Sequence, residues 1–184
     1  MTATARLYLK LFAHMAIPLA IVMLPFNWLA TVITEDLSNG WAIGTSAASA
    51  VLYGVFMARV FGRRHIRAVE ALVGAPTDEA LSPRQTKILH VDMPPAEVFE
   101  RCRKAIGAMP RARITSADAA TGVIEAKVGA TMKSWGEILN VRVEPAPSGT
   151  SSIEISSRPS FTPTIVDYGV NLQNVLAIER ALAG

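Results

Sequence analysis

A run of 23 residues without Asp, Glu, Lys or Arg, Leu11–Ile33, most constrains how this 184-residue chain can fold. At a rise of about 1.5 Å per residue, a helix of this length crosses a hydrocarbon core of about 30 Å. A second uncharged run, Trp41–Ala58, covers 18 residues. A short polar turn, residues 34–40, separates them. We therefore expect two antiparallel membrane-spanning helices, a hairpin over residues 1–61. A cleaved signal peptide is the competing interpretation of the first run, but the run is long and a second one follows at once.

Basic residues flank both runs at the ends away from the turn. Arg6 and Lys10 precede the first run, four arginines follow the second, and the turn contains no Lys or Arg. The positive-inside rule predicts a multi-pass protein with its N-terminus and its C-terminal domain in the cytoplasm. The arginines are also candidate contacts for anionic lipid headgroups, the alternative being that they only set the topology. They are Arg59, Arg63, Arg64 and Arg67.

Small residues recur at every fourth position along the second run. Such a face lets another helix backbone approach closely. It predicts packing either against the first run of the same chain or against another subunit. The residues of this face are Ser46, Ala50, Gly54 and Ala58.

The remaining chain predicts a juxtamembrane helix, either separate from the second run or continuous with it, and a proline-containing linker at 62–83, and then a domain at 84–184. Apolar residues at every second position predict strands at 87–91, 112–116, 123–128, 137–144 and 151–157. Apolar stripes at helical spacing predict helices at 95–109 and 165–183. Thr164 and Asp167 fit a capping box at the start of the last helix. The order β-α-β-β-β-β-α predicts an α+β two-layer sandwich with a mainly antiparallel sheet and two helices on one face.

The composition of this domain excludes several functions. From Arg84 onward there are 12 Lys and Arg against 10 Asp and Glu, whereas a nucleic-acid interface requires clustered basic residues. The single cysteine, Cys102, makes no internal disulfide and falls on an apolar stripe, so we expect it to be buried. The three histidines lack the spacing of metal ligands, and no phosphate-binding loop or nucleophile elbow is present. We predict no metal and no cofactor, and a non-catalytic role is favoured.

One group of side chains is the best candidate for ligand recognition. The fourth strand starts after Trp135, and the last helix starts near Asp167, so both can meet at one end of the sheet. An aromatic ring with Arg and Asn donors suits a small anion or a peptide end. Alternatively, the aromatic side chains close the core, Asp167 caps the helix and Gly169 allows a close backbone approach. The candidates are Lys133, Trp135, Glu137, Arg158, Asp167, Tyr168 and Asn171.

The segment Ile155–Pro159, followed by Asp167–Asn171 at the start of the last helix, resembles an uncharacterised bacterial membrane-anchored family. The C-terminal domain of that family has no known function. The resemblance covers about residues 87–182, and it departs in the loop 160–165, which holds a proline and threonines where a shorter glycine turn is expected. It implies a bacterial inner membrane and no particular activity.

These observations predict a membrane-anchored non-catalytic module, an accessory or assembly subunit of a bacterial inner-membrane complex. Its partners would be membrane lipids and either other membrane subunits or further copies of the chain. The alternative is a tethered cytoplasmic domain that binds a small ligand or a lipid, with or without catalysis. A transport role would require oligomerisation, because two spans alone make no pore.

Overall fold

The structure, a computed structural model, describes residues 1–34 and 39–183. Most of the predicted polar turn, residues 34–40, therefore lies outside the described residues. The chain divides into two compact units, Met1–Arg67 and Ala68–Gly184.

Two long helices dominate the first unit. Helix α1 spans Ala3–Thr34, and helix α2 spans Asn39–Val73. Each helix contains one of the uncharged runs. Both are long and apolar enough to cross a membrane, with mean hydropathies of 2.0 and 1.4 over the most apolar 18 residues of each. Helix α2 continues without a break through the predicted juxtamembrane segment, which is therefore an extension of the second run.

The two helices pack antiparallel. Gly62 near the end of α2 lies against Tyr8 near the start of α1, and Gly54 lies against Ala16. Towards the other end of the pair, the Asn27 amide of α1 donates a hydrogen bond to the Ser46 hydroxyl of α2 at 2.8 Å. As the residue number increases along α1, the number of the contacting residue in α2 decreases, which is the pattern of an antiparallel pair.

The second unit is an α+β fold, as predicted. Its elements are β1 (Gln85–Val91), α3 (Pro95–Ala108), β2 (Ala112–Asp118), β3 (Val123–Val128), β4 (Glu137–Pro145), a short 3-10 turn (Pro147–Gly149), β5 (Ser151–Pro159) and α4 (Val170–Ala183). The five strands form one open sheet in the order β1-β5-β4-β3-β2, and every neighbouring pair is antiparallel. The strand boundaries lie within two residues of the predicted ones.

The core lies between one face of this sheet and the two helices α3 and α4. Alternation along each strand sends every second side chain to that face, where it meets the apolar stripes of the helices. Cys102 is fully buried there, as expected. The core side chains include Val98, Ile106, Ile124, Leu139, Val141, Ile153, Ile155 and Ile178. The prediction of two helices on one face of the sheet is confirmed.

The start of the last helix differs from the prediction. Helix α4 begins at Val170 rather than at residue 165, because Tyr168 and Gly169 have φ angles of 55° and 74°, which interrupt a right-handed helix. The predicted capping box is wrong: the Thr164 hydroxyl donates to the Phe161 carbonyl instead. The Asp167 carboxylate accepts the backbone N–H groups of Gly169 and Asn171 at this helix start.

The linker 75–83 contains no helix or strand, but it is packed. The side chain of Leu81 is buried. The Gln85 amide at the start of β1 donates to the Glu79 carbonyl at 2.8 Å and to the Ser82 carbonyl as well. These bonds hold the linker against the sheet.

Candidate functional site

Three of the seven predicted site residues are buried together at one end of the sheet. Glu137 is the first residue of β4 and lies on the face that α4 covers. Asp167 and Asn171 flank the start of α4. All three are essentially inaccessible to solvent.

Hydrogen bonds join Asp167 and Asn171 to two further polar side chains, Ser157 and Asn174. The Asp167 carboxylate accepts bonds from the backbone N–H and the side-chain amide of Asn171, both at 2.8 Å. The Ser157 hydroxyl donates to the Asn171 amide oxygen at 2.7 Å, and the Asn174 amide donates to Ser157 at 3.2 Å. We call Glu137, Ser157, Asp167, Asn171 and Asn174 the buried polar cluster.

Ser157 and Asn174 were not predicted as site residues, although the sequence carries a signal for both. Ser157 occupies the inward phase of β5, two residues after Ile155, where an apolar residue is the rule. Asn174 follows Asn171 by three residues and so shares its side of α4. A polar residue at a position whose periodicity predicts burial indicates a buried hydrogen-bond network.

Glu137 has the most unusual environment of the cluster. Neither of its carboxylate oxygens has a hydrogen-bond partner within bonding distance among the described residues. Burial raises the pKa of Glu137, the charge of Asp167 raises this pKa further, and the nearby Ser134 hydroxyl opposes the shift. Burial in the folded protein therefore shifts the ionisation equilibrium of Glu137 towards its neutral form.

The structure does not bring the other four predicted residues into this cluster. Trp135 is 77% exposed, and Lys133 is exposed in the same loop. Arg158 is exposed on the opposite face of the sheet, because it alternates with the buried Ser157. Tyr168 is half-buried beside Asp167. The predicted arrangement of Trp, Arg and Asn around one ligand is therefore not assembled, and the alternative that Trp135 closes the core is wrong as well.

Two glycines allow the close approaches that build this end of the sheet. A Cβ on Gly136 would lie 2.9 Å from the Val128 carbonyl oxygen, and φ at Gly136 is 89°. A Cβ on Gly169 would lie 3.1 Å from a methyl carbon of Leu72. Gly169 thus permits the close approach that its sequence context suggested.

The small-residue face of α2 is directed at α1. Ser46, Ala50 and Ala58 are buried, and a Cβ on Gly54 would lie 2.8 Å from the Ala16 Cβ. Small side chains here allow the two backbones of the same chain to approach closely.

The four predicted lipid-contacting arginines are exposed, and two of them border a groove between the helices. This groove has a volume of about 530 Å³. Its lining combines apolar and aromatic side chains with two arginines. The lining residues are Tyr8, Leu9, Phe12 and Val55, with Arg59 and Arg63. We call it the arginine groove.

A second cavity, of about 640 Å³, lies in the α+β unit where the linker passes α4 and β1. Apolar side chains of α4 form one wall, and polar side chains of β1 form another. Its lining includes Ala80, Gln85, Lys87, Leu172, Val175 and Leu176. A volume of this size is typical of small-molecule sites. We call it the α4 cavity.

Within residues 1–34 and 39–183, no group of three His, Cys, Asp or Glu side chains is arranged to hold a metal ion. Glu137 and Asp167 are a pair of carboxyl groups, and the amide donors of Asn171 already occupy Asp167. Among the described residues, the Glu137 carboxyl is the group of this cluster whose buried oxygens have no hydrogen-bond partner.

Comparison with known proteins adds no further assignment. No protein-family model matches the sequence, and no curated protein matches it significantly. The resemblance to a bacterial membrane-anchored family remains a prediction.

Proposed function

We propose that this protein is a membrane-anchored, non-catalytic binding module of the bacterial inner membrane. Helices α1 and α2 cross the bilayer as a hairpin, and the α+β unit lies in the cytoplasm. There it serves as an accessory or assembly subunit of a membrane complex.

The uncovered apolar surface of the two helices carries this proposal. Only 11% of the most apolar window of α1 and 28% of that of α2 is buried, whereas the core helix of a soluble protein is mostly buried. Burying one large apolar side chain contributes about 1.5–3 kcal/mol, so a surface of this extent requires a lipid or protein environment. Exposed examples are Ile17, Ile21, Phe26, Ile43, Leu52 and Phe56.

The polar side chains inside the helix pair are consistent with a hydrocarbon environment. The Asn27 amide bonds to Ser46 and Thr45, and the Ser46 hydroxyl donates to the Ala42 carbonyl at 2.7 Å. In a bilayer, where water is absent, such groups must find partners within the protein.

The antiparallel pairing supports the cytoplasmic orientation. Gly62 contacts Tyr8. The basic residues that precede the uncharged run of α1 therefore lie at the same end of the pair as the basic residues that follow the uncharged run of α2. The positive-inside rule assigns this end to the cytoplasm. The α+β unit follows α2 on that side.

Cysteine labelling in intact bacterial cells tests the anchor and its orientation. The natural Cys102 is buried and should give little background. Ser38→Cys in the turn should react with a membrane-impermeant maleimide from outside. Ala119→Cys, on the exposed β2–β3 turn, should react only after the inner membrane is lysed. Release of the chain by alkaline carbonate would refute the anchor, and a reversed labelling pattern would refute the orientation.

The subunit role is tested separately. Photo-crosslinking in native membranes, followed by light scattering of the chain purified in mild detergent, should reveal a stoichiometric partner or a homo-oligomer. A monomer at every concentration, without any crosslinked partner, would contradict the subunit role and leave the anchor intact.

The arginine groove suggests how the hairpin binds lipid. Its apolar walls suit an acyl chain, and its guanidinium groups suit a phosphate, to which arginine donates paired hydrogen bonds. In native mass spectrometry, Arg59→Gln with Arg63→Gln should lose bound phosphatidylglycerol. Arg64→Gln with Arg67→Gln removes the same charge outside the groove lining and should retain the lipid. Equal losses in both double variants would show that net charge alone binds the lipid.

The α4 cavity favours a second candidate function, binding of a small ligand. Leu176→Trp, which places an indole in the cavity lining, should displace a co-purified small molecule detected by native mass spectrometry. Gln173→Trp lies on the exposed side of the same helix and is the matched control. If no co-purified or added ligand binds the Gln173→Trp variant more strongly than the Leu176→Trp variant, this candidate function is contradicted.

A further inference from the structure

Two loops at one end of the sheet expose large apolar side chains. One loop, residues 129–136, joins β3 to β4, and the other, residues 160–169, joins β5 to α4. Met132 is fully exposed, Trp135 is 77% exposed and Phe161 is 54% exposed. We call these three residues the apolar tip.

The tip residues lie on neighbouring, hydrogen-bonded backbone. The Ser160 N–H donates to the Gly136 carbonyl at 2.8 Å, so Trp135 and Phe161 each stand one residue beyond this bond. This bond extends the pairing of β4 with β5, in which Glu137 lies opposite Pro159. The apolar side chains of both loops are therefore presented at the same end of the sheet.

The first loop is a defined turn. The Thr131 N–H donates to the Ser134 carbonyl at 2.9 Å, and the Thr131 hydroxyl accepts from the N–H groups of Lys133 and Ser134. These bonds place Met132 and Lys133 at the apex of the turn. Arg111 donates to the Ala130 carbonyl at 2.6 Å and supports the base of the loop. The exposure of Met132 is thus a property of a hydrogen-bonded turn.

The charges around the tip are positive. Lys133 is the charged residue of the first loop, and exposed arginines donate to carbonyls of both loops, Arg111 to the first and Arg84 to the second. Glu137, which follows the first loop, and Asp167, within the second loop, are acidic but buried. An anionic surface is the electrostatic complement of this end of the unit.

We propose that the apolar tip inserts into the headgroup layer of an anionic bilayer and docks the α+β unit on the membrane surface. An indole ring prefers that layer, where its apolar body and its N–H are both accommodated, and nearby basic residues are attracted to anionic lipids. The inference rests on the proposed membrane anchor, because eleven residues separate α2 from β1 and a bilayer surface then lies within reach of the unit.

Fluorescence quenching in liposomes tests the docking. The full chain with Trp28→Phe and Trp41→Phe, which leaves Trp135 as its only indole, is reconstituted with phosphatidylglycerol and with phosphatidylcholine alone. Brominated lipids report contact with the bilayer, and acrylamide on both sides reports contact with water. We expect loss of Trp135 fluorescence with brominated phosphatidylglycerol and protection from acrylamide. Lys133→Glu should weaken both effects.

A control indole calibrates the measurement. In a chain with all three tryptophans replaced by Phe, Ile88→Trp places an indole on β1 at a position that is exposed and outside the tip. It should remain open to acrylamide and unquenched by brominated lipid. Equal quenching of the two indoles by brominated lipid would overturn the proposal, because contact with the bilayer would then not be specific to the tip.

The outcomes separate the two proposals. Failure of the chain to float with liposomes, or its release by alkaline carbonate, would refute the anchor. Flotation with Trp135 open to acrylamide and unquenched by brominated lipid would refute the docking and keep the anchor. Protection of Trp135 from both quenchers would also refute the docking, because a second copy or another protein would then cover the tip.

Discussion

Replacing the buried Glu137 by Gln should remove a pH-dependent loss of stability. The pKa of Glu137 is raised in the folded protein, first by burial and then by the charge of Asp167. Below the ordinary pKa of 4.5, this carboxyl is protonated in both the folded and the unfolded chain and costs nothing through ionisation. Between that value and the folded-state pKa, the folded chain binds more protons than the unfolded one. The free energy of unfolding therefore falls as the pH rises through this interval and stays reduced above it.

The size of this loss has an upper bound. Protonating a carboxyl of pKa 4.5 at pH 7 costs about 3.4 kcal/mol, at about 1.36 kcal/mol per pH unit. The folded chain can always keep Glu137 protonated at this cost. The decrease in the free energy of unfolding between low pH and pH 7 therefore cannot exceed about 3.4 kcal/mol. We therefore expect Glu137→Gln to gain stability relative to the natural chain between pH 4 and pH 7, by at most about 3.4 kcal/mol.

Native-state hydrogen exchange of the full chain in detergent micelles measures this difference. The protection of β4 and β5 peptides is compared between variant and natural chain at each pH, so that intrinsic exchange rates cancel. Glu144→Gln, on the same strand but exposed, should change stability by less than about 0.5 kcal/mol at both pH values. A gain from Glu137→Gln that is independent of pH, or a loss at pH 7, would refute the reasoning. The carboxylate would then have a stabilising partner in the folded protein.

Three further perturbations test the core and the turns. Burial raises the pKa of Cys102 to about 12, so we expect this thiol to resist maleimide at pH 7.5 until the chain is unfolded, and rapid labelling of the native chain would contradict this. Ile155→Ala should lower the free energy of unfolding by about 2–5 kcal/mol in pulse proteolysis, whereas Ile88→Ala, at an exposed position, should change it by less than about 0.5 kcal/mol. Gly122→Ala should destabilise the chain by more than about 1 kcal/mol, because φ is 69° and a Cβ would clash with a carbonyl of β4. Gly107→Ala, in open space on α3, should instead add up to about 1 kcal/mol of stability, and equal effects of the two substitutions would refute the assignment.

Local periodicity was sufficient to predict the elements of the α+β unit. Strand β3 was predicted at its observed boundaries, because Ile124, Ala126 and Val128 alternate with charged residues and both ends carry turn residues. The start of α4 was predicted about five residues too early. The apolar residues before Val170 resemble a further helical turn, but the left-handed backbone at Tyr168 and Gly169 prevents it. This backbone is held by Asp167 and by the packing of Gly169 against Leu72, contacts that a local pattern does not reveal.

The sequence alone determined the two apolar helices, their basic flanks and the β-α-β-β-β-β-α order, because each of these follows from hydrophobic periodicity and charge along a short stretch. Only the tertiary structure decided which polar residues share a site. The pairing of β4 with β5 and the onset of α4 bring Glu137, Ser157 and Asn171 together from three separate segments. Strand alternation turns Arg158 to the opposite face, and the loops leave Trp135 in solvent. The spacing of residues in the sequence determines on which face of its own helix or strand a residue lies. Long-range packing determines which residues of other helices and strands become its neighbours.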